Sequence, residues 1–145
     1  MRKGKAMELK MDKPALEAFL ASEFAQVSDD FAVEAVAPMT LTTRLKVAER
    51  HLRPGGTVSG PSMFALADVS VYLAVLAMIG PKALAVTTSC SMDFMRKPEA
   101  GMDLLCECRL LKLGRVLAVG DGLIFSEGFA QPVARANMTY SIPPR

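Results

Sequence analysis

Residues 61–79 read PSMFALADVSVYLAVLAMI, and this run decides the fold. Pro61 suits the first turn of a helix, where a missing N–H leaves nothing unpaired, and Gly80-Pro81 supplies the stop signal. Nineteen residues predict a helix of roughly 28 Å. It is apolar nearly all round, so it must be buried on most sides. A membrane span is the competing reading. The run is marginal in length for one, contains Asp68 and is framed by strand-like sequence, so a buried central helix is preferred.

Four strand candidates follow the helix, at about 85–96, 103–113, 115–126 and 132–142. Pro98, Gly101, Gly114, Gly128 and Pro132 punctuate them, as expected for antiparallel neighbours joined by short turns. Before the helix, Leu41, Leu45 and Val47 alternate with Thr40, Thr42, Arg44 and Lys46 in the period-two pattern of a half-buried strand. Pro38 marks a break between two strands in residues 31–49. A first helix is predicted from Pro14 to about Gln26, with Leu16, Phe19, Leu20 and Phe24 on one face. The order is therefore helix, two strands, long helix, four strands. A curved antiparallel sheet around one helix at about 61–79 is the compact α+β solution. No repeat or linker interrupts it, so 1–145 reads as one domain, with 1–12 as a flexible N-terminus.

Composition narrows the function. Of the 145 residues 51% are apolar, and the mean hydropathy of +0.27 is high for a small soluble domain. Such a chain is not disordered, and its excess apolar surface suits burial between copies in a homo-oligomer. A net charge of +2, without a basic stripe interleaved with aromatics, argues against nucleic acid. Met1-Arg2-Lys3-Gly4-Lys5 has no apolar segment after it, so no export signal is read and a cytoplasmic protein is expected. Translation could equally begin at Met7 or Met11. Cys90, Cys106 and Cys108 are then read as buried reduced thiols. Cys106 and Cys108, two apart on one strand face, are badly placed for a disulfide. With His51 they lack any zinc-ligand spacing, so no metal is predicted.

Between Pro54 and Pro81 Asp68 is the only charged residue. An unpaired carboxylate among apolar groups costs several kcal/mol, and no cationic partner lies on the same helix face, which makes Asp68 a site candidate. The glycine-rich loop HLRPGGTVSG (51–60) supplies the complementary feature. A helix starting at Pro61 aims free N–H groups and a positive dipole end beyond Gly60, which suits a carbonyl or an oxyanion. Asp68 lies eight residues after Gly60, roughly 12 Å along a helix. One carboxylate cannot reach that far, so a substrate touching both requires Asp68 from a second subunit, as in a two-fold dimer.

The order of elements, the phrase GGTVSG (55–60), ALAD (65–68) and VTTSCSMDFMRKP (86–98) resemble hotdog-fold thioesterases. The nearest group is the phenylacetate-pathway type of acyl-CoA thioesterase. The resemblance spans about residues 30–142 and implies a hotdog fold, dimers that pair into tetramers, and coenzyme A lying between subunits as part of the substrate. It implies Asp68 as nucleophile or general base, Gly60 as the amide that holds the thioester carbonyl, and Thr87 as the hydroxyl that orients water. Three positions differ from the family. Ser59-Gly60-Pro61 stands where His-Gly-Gly is common, and Arg53 where many members have Asn.

Arg53 brings a fixed charge and a fork suited to phosphate or carboxylate. It would hold a nucleotide phosphate or an acidic acyl group, or else pair with Asp68 across the dimer. The last case describes the alternative, a non-catalytic protein that binds acyl-CoA or a small lipid. Ser59 and Pro61 flank the carbonyl site, and Arg96 and Lys97 end a strand where they could hold the coenzyme's phosphates. A hydratase pairing His51 with Asp68 is a weaker reading, since hotdog dehydratases usually carry Glu rather than Asp and place proline and glycine differently. A Ser59–His51–Asp68 triad is weaker too, since residues 56–60 do not match a nucleophile elbow. No cofactor beyond the substrate's own coenzyme A is expected, nor is a membrane partner.

Overall fold

The computed structural model describes residues 8–81 and 85–144. Its elements are α1 (Lys13–Glu23), β1 (Phe31–Ala37), β2 (Thr40–Leu45), α2 (Gly60–Ile79), β3 (Val86–Phe94), β4 (Leu104–Leu113), β5 (Leu117–Ser126) and β6 (Ala134–Ser141), with two single 3₁₀ turns at Ser28–Asp30 and Glu49–His51. The strands form one antiparallel sheet in the order β1-β2-β4-β5-β6-β3. The central helix packs against every strand of it. This is the hotdog arrangement, and the order of elements follows the sequence expectation. The strands after the helix end where expected or one or two residues inside, and flanking residues such as Met95 and Ile142 still donate to Val133 O and Val116 O, at 2.8 and 2.7 Å.

The central helix is closed by local chemistry at both ends. Ser59 is its N-cap, accepting the Ser62 N–H at 3.3 Å, and Pro61 sits in the first turn. At the far end Gly80 takes φ +93° and returns its N–H to Leu76 O at 2.8 Å. From Leu66 to Met78 nearly every side chain is buried, Asp68 and Val69 excepted. The helix is long and apolar enough to cross a membrane. Its burial beneath the sheet identifies it instead as the core helix.

Strand alternation supplies the other half of the core. Leu41, Thr43 and Leu45 point inward from β2, Leu104, Cys106, Cys108 and Leu110 from β4, and Ala134, Ala136, Met138 and Tyr140 from β6. Pro38 breaks the β1–β2 pair as expected, and Met39 turns the corner at φ +68°. In α1, Asp12 caps the Ala15 N–H at 3.0 Å and Leu16 and Leu20 are buried. This helix stops at Glu23 rather than Gln26, because the chain turns at residues 24–27 into the Ser28–Asp30 turn.

Two expectations need correction. Residues 8–12 are docked rather than loose: the Lys10 and Met11 amides both donate to Ala77 O, at 2.7 and 3.2 Å, and the Met11 side chain is buried. The expectation for 1–7 lies outside the described residues. Cys106 and Cys108 are buried, but Cys90 is exposed, because β3 is an edge strand with little packed over it.

The close approach of α2 to the sheet depends on glycines in β5. A Cβ on Gly120 would sit 3.0 Å from Val71 Cγ1 and 3.2 Å from Leu110 Cδ2, and one on Gly122 would sit 3.0 Å from the Cys106 sulfur. Gly120→Ala is therefore expected to lower the unfolding free energy by about 1–3 kcal/mol through overpacking. Urea denaturation checks this, and an unchanged midpoint would mean that helix and sheet have room between them.

Candidate functional site

Between β2 and α2 the chain makes a small glycine turn. Arg53 donates to Thr57 O at 2.8 Å and Gly56 to Arg53 O at 3.0 Å, with Gly55 and Gly56 at φ +104° and +88°. Side chains other than glycine rarely adopt such angles, so these two glycines are explained by the turn. His51 anchors its root. The imidazole is buried, its Nδ1 accepts the Ala48 N–H at 2.8 Å, and its Nε2 faces Asp30 Oδ2 at 3.2 Å. Burial, and then the charge of Arg50, lower its pKa. Both ring nitrogens are thus engaged away from Asp68 of the same chain.

The turn delivers the helix N-terminus in a defined state. Ser59 donates its N–H to His51 O at 2.8 Å, its hydroxyl caps Ser62, and its carbonyl accepts the Met63 N–H at 3.1 Å. Pro61 has no N–H. Among the described residues the Gly60 N–H is the one first-turn donor left without an acceptor. The Phe94 ring lies over Gly60, with its Cζ 3.4 Å from where a Cβ would be. Because Phe94 ends β3, the segment bearing Arg96 and Lys97 comes to the same end of the molecule as the Arg53 loop. Arg96 donates to Pro132 O at 3.0 Å and Gln131 Oε1 at 2.5 Å, whereas Arg53 and Lys97 are exposed and make no side-chain bond among the described residues.

Two turns along α2, Asp68 is half-buried. The Thr87 hydroxyl donates to its Oδ1 at 2.6 Å, and the Tyr140 hydroxyl lies 2.5 Å from the same oxygen and 2.8 Å from the Asp68 carbonyl. Oδ2 has no partner among the described residues. Two neutral hydroxyls, not a cation, accompany the carboxylate. Burial, and after it the Asp68 charge, push the Tyr140 phenol well above its ordinary range. Tyr72 stands behind it, 6.0 Å between ring centroids, and Phe24 and Phe19 of the segment around α1 pack on Tyr72 at 5.5 and 6.3 Å.

Register puts the two hydroxyls together. Thr87 pairs directly across from Tyr140 in the β3–β6 ladder, and a bulge follows between Thr87 and Ser89. Cys90, Met92 and Phe94 oppose the inward-facing residues of β6, and strict alternation would continue that face to Thr88. The extra residue shifts the phase, so Thr87 faces Asp68.

The structure thus brings Thr87 to Asp68, and gathers Ser59, Gly60 and Pro61 at the helix start. Within one chain it keeps Asp68 eight residues along the helix from Gly60. Tyr140 was missed by sequence reasoning. Its signal was an inward-facing phenol on an alternating strand, since a buried hydroxyl needs an acceptor, but the strand register that names the acceptor is not legible.

The sequence profile of the thioesterase superfamily matches residues 55–132, from the glycine turn to just before β6. A crystal structure of a proposed thioesterase from Silicibacter sp. TM1040 is 65% identical, with 97% of each chain covered and a TM-score of 0.90. A mutant form of the phenylacetic acid degradation protein PaaI from Thermus thermophilus is 29% identical, covering 82% of this chain and 99% of that one, at a TM-score of 0.71. Zebrafish thioesterase superfamily member 2, at 21% identity, covers 92% of this chain and 100% of that one with a TM-score of 0.82, and shows the shared fold. No curated protein matches the chain.

The chain has two tyrosines, and both are shifted upward, Tyr72 to about 12 by burial and then Glu23. Alkaline titration followed at the tyrosinate absorbance should therefore show little ionisation at the usual phenol pKa of about 10. Asp68→Asn removes a negative charge beside one phenol and should lower its onset. Unchanged curves for the variant and wild type would contradict the Tyr140–Asp68 contact.

Proposed function

The chain belongs to the thioesterase superfamily, and we propose that it hydrolyses acyl-CoA thioesters at a site assembled from two copies of itself. The supporting observation is the single carboxylate of an otherwise apolar helix, with one oxygen held by hydroxyls and the other without a partner among the described residues. Gly60 of one subunit presents its N–H, at the positive end of α2, to the thioester oxygen. Negative charge that develops on that oxygen is stabilised by the amide and the helix dipole. Asp68 of the other subunit acts on the carbonyl carbon, either as nucleophile or as general base on a water that Thr87 helps to orient. The C–S bond breaks, the coenzyme leaves as its thiol after protonation, and water supplies the hydroxyl of the acid product.

Surface chemistry supports the pairing of subunits. β3 is an edge strand exposed over most of its length, and Phe64, Val86, Phe94 and Met95 are exposed apolar residues on it, next to it or in the first turns of α2. Unpaired strand edges and apolar patches of this kind are ordinarily covered by another chain. Covering this face sets the second copy against the helix start and Asp68, in a dimer or a dimer of dimers. Arg53, Arg96 and Lys97 then serve the coenzyme's phosphates, and this hydrolysis needs no metal or cofactor. The three free thiols suit the reducing cytoplasm.

Free-thiol release from short, medium and aryl acyl-CoAs, with Asp68→Asn run beside wild type, tests this reading. The variant should keep the fold and lose activity by at least a few hundredfold, on the scale of a lost general base. Equal rates would remove Asp68 from the chemistry. No release by folded wild type with any thioester would leave the binding protein in which Arg53 neutralises Asp68.

A further inference from the structure

We infer that Tyr140 is a positioning residue: together with Thr87 it pins Oδ1 of Asp68, so that Oδ2 is the oxygen that reacts. The inference rests on the reading of Asp68 as the acting carboxylate. A carboxylate is two-fold symmetric, and its terminal torsion is broad, so a lone Asp on a helix presents either oxygen over a range of directions. Here both donors converge on one oxygen, at 2.6 and 2.5 Å. That convergence breaks the symmetry and fixes the plane of the group.

The two donors differ in how firmly they are held. Thr87 sits on the exposed edge strand β3. Tyr140 is only 2% exposed, is flanked by backbone pairing to Thr87 on one side and Ala118 on the other, and packs on Tyr72. Its hydroxyl is therefore the stiffer reference point. A phenol carries one proton, and it has two acceptors within reach: the Asp68 carbonyl at 2.8 Å and Oδ1 at 2.5 Å. The shorter, charge-assisted bond to the carboxylate takes the proton. A phenol that merely needed an acceptor would be satisfied by the carbonyl. The closer approach to Oδ1 ties it to the reacting group, and the cost of a misdirected carboxylate falls on the rate of the chemical step.

Steady-state kinetics of Tyr140→Phe, Thr87→Val and Thr87→Ser, with Asp68→Asn as reference, test the assignment. Tyr140→Phe keeps the ring and should lower kcat about ten- to a hundredfold, the scale of one charge-assisted hydrogen bond, with KM within about twofold of wild type. Thr87→Val should fall similarly, and Thr87→Ser, which restores the hydroxyl, should return most of the rate. A Tyr140→Phe enzyme with wild-type kcat, beside an inactive Asp68→Asn, would make the phenol a packing group and leave the Asp68 reading intact. A Tyr140→Phe chain that fails to fold assigns the hydroxyl to structure and equally overturns the inference. Full activity in Asp68→Asn would remove both readings together.

Discussion

Enclosure of α2 is the constraint on which the rest depends. A helix apolar on every side cannot sit on a surface, and each Leu or Val it buries contributes about 1.5–3 kcal/mol. One flat sheet would cover a single face. Here all six strands pack against the helix, the chain on the N-terminal side of α1 docks on its last turn through Ala77 O, and Gly120 and Gly122 let the backbones approach. The same enclosure leaves one region uncovered. β3 and the first turns of α2 keep exposed apolar side chains, and that region holds the helix start and lies along the face that carries Asp68.

Asp68 opposes this enclosure. A carboxylate left without donors in such a setting would cost several kcal/mol, more than one buried Leu returns. The molecule offsets that cost with two hydroxyls on one oxygen and incomplete burial, and no cation is drawn in among the described residues. An ion pair would stabilise the charge further and occupy the group. Neutral donors satisfy one oxygen while the other keeps its lone pairs. His51, the other residue with a conceivable role beside Asp68, is committed to Ala48 and Asp30 and serves the loop.

Much of this was legible in the sequence, and what was not has a physical reason. Period-two alternation, the Pro61 and Gly80-Pro81 boundaries and the near-continuous apolar run are local signals, and they led to the element order and the central helix. Asp68 and Gly60 stood out because each breaks the local pattern. Tyr140 did not, because its meaning depends on a partner 72 residues away and on the β3–β6 register. The bulge after Thr87 is likewise silent in the sequence, where plain alternation selects Thr88. Burial of Cys90 was overestimated for a related reason, since an edge strand reads like an interior one until its neighbours are known.

Helix start and carboxylate must meet between subunits if the proposed chemistry holds, and complementation tests that most directly. Asp68→Asn removes the carboxylate, and Gly60→Pro removes the free amide while adding no charge. Each variant alone should be nearly inactive. After unfolding and refolding an equal mixture, half the dimers are mixed, and each has one site with both defects and one with neither. About a quarter of wild-type activity should then return, by the same random pairing. A mixture as inactive as its parents, with mixed dimers shown to form, would place both groups in one chain's site and contradict the shared one.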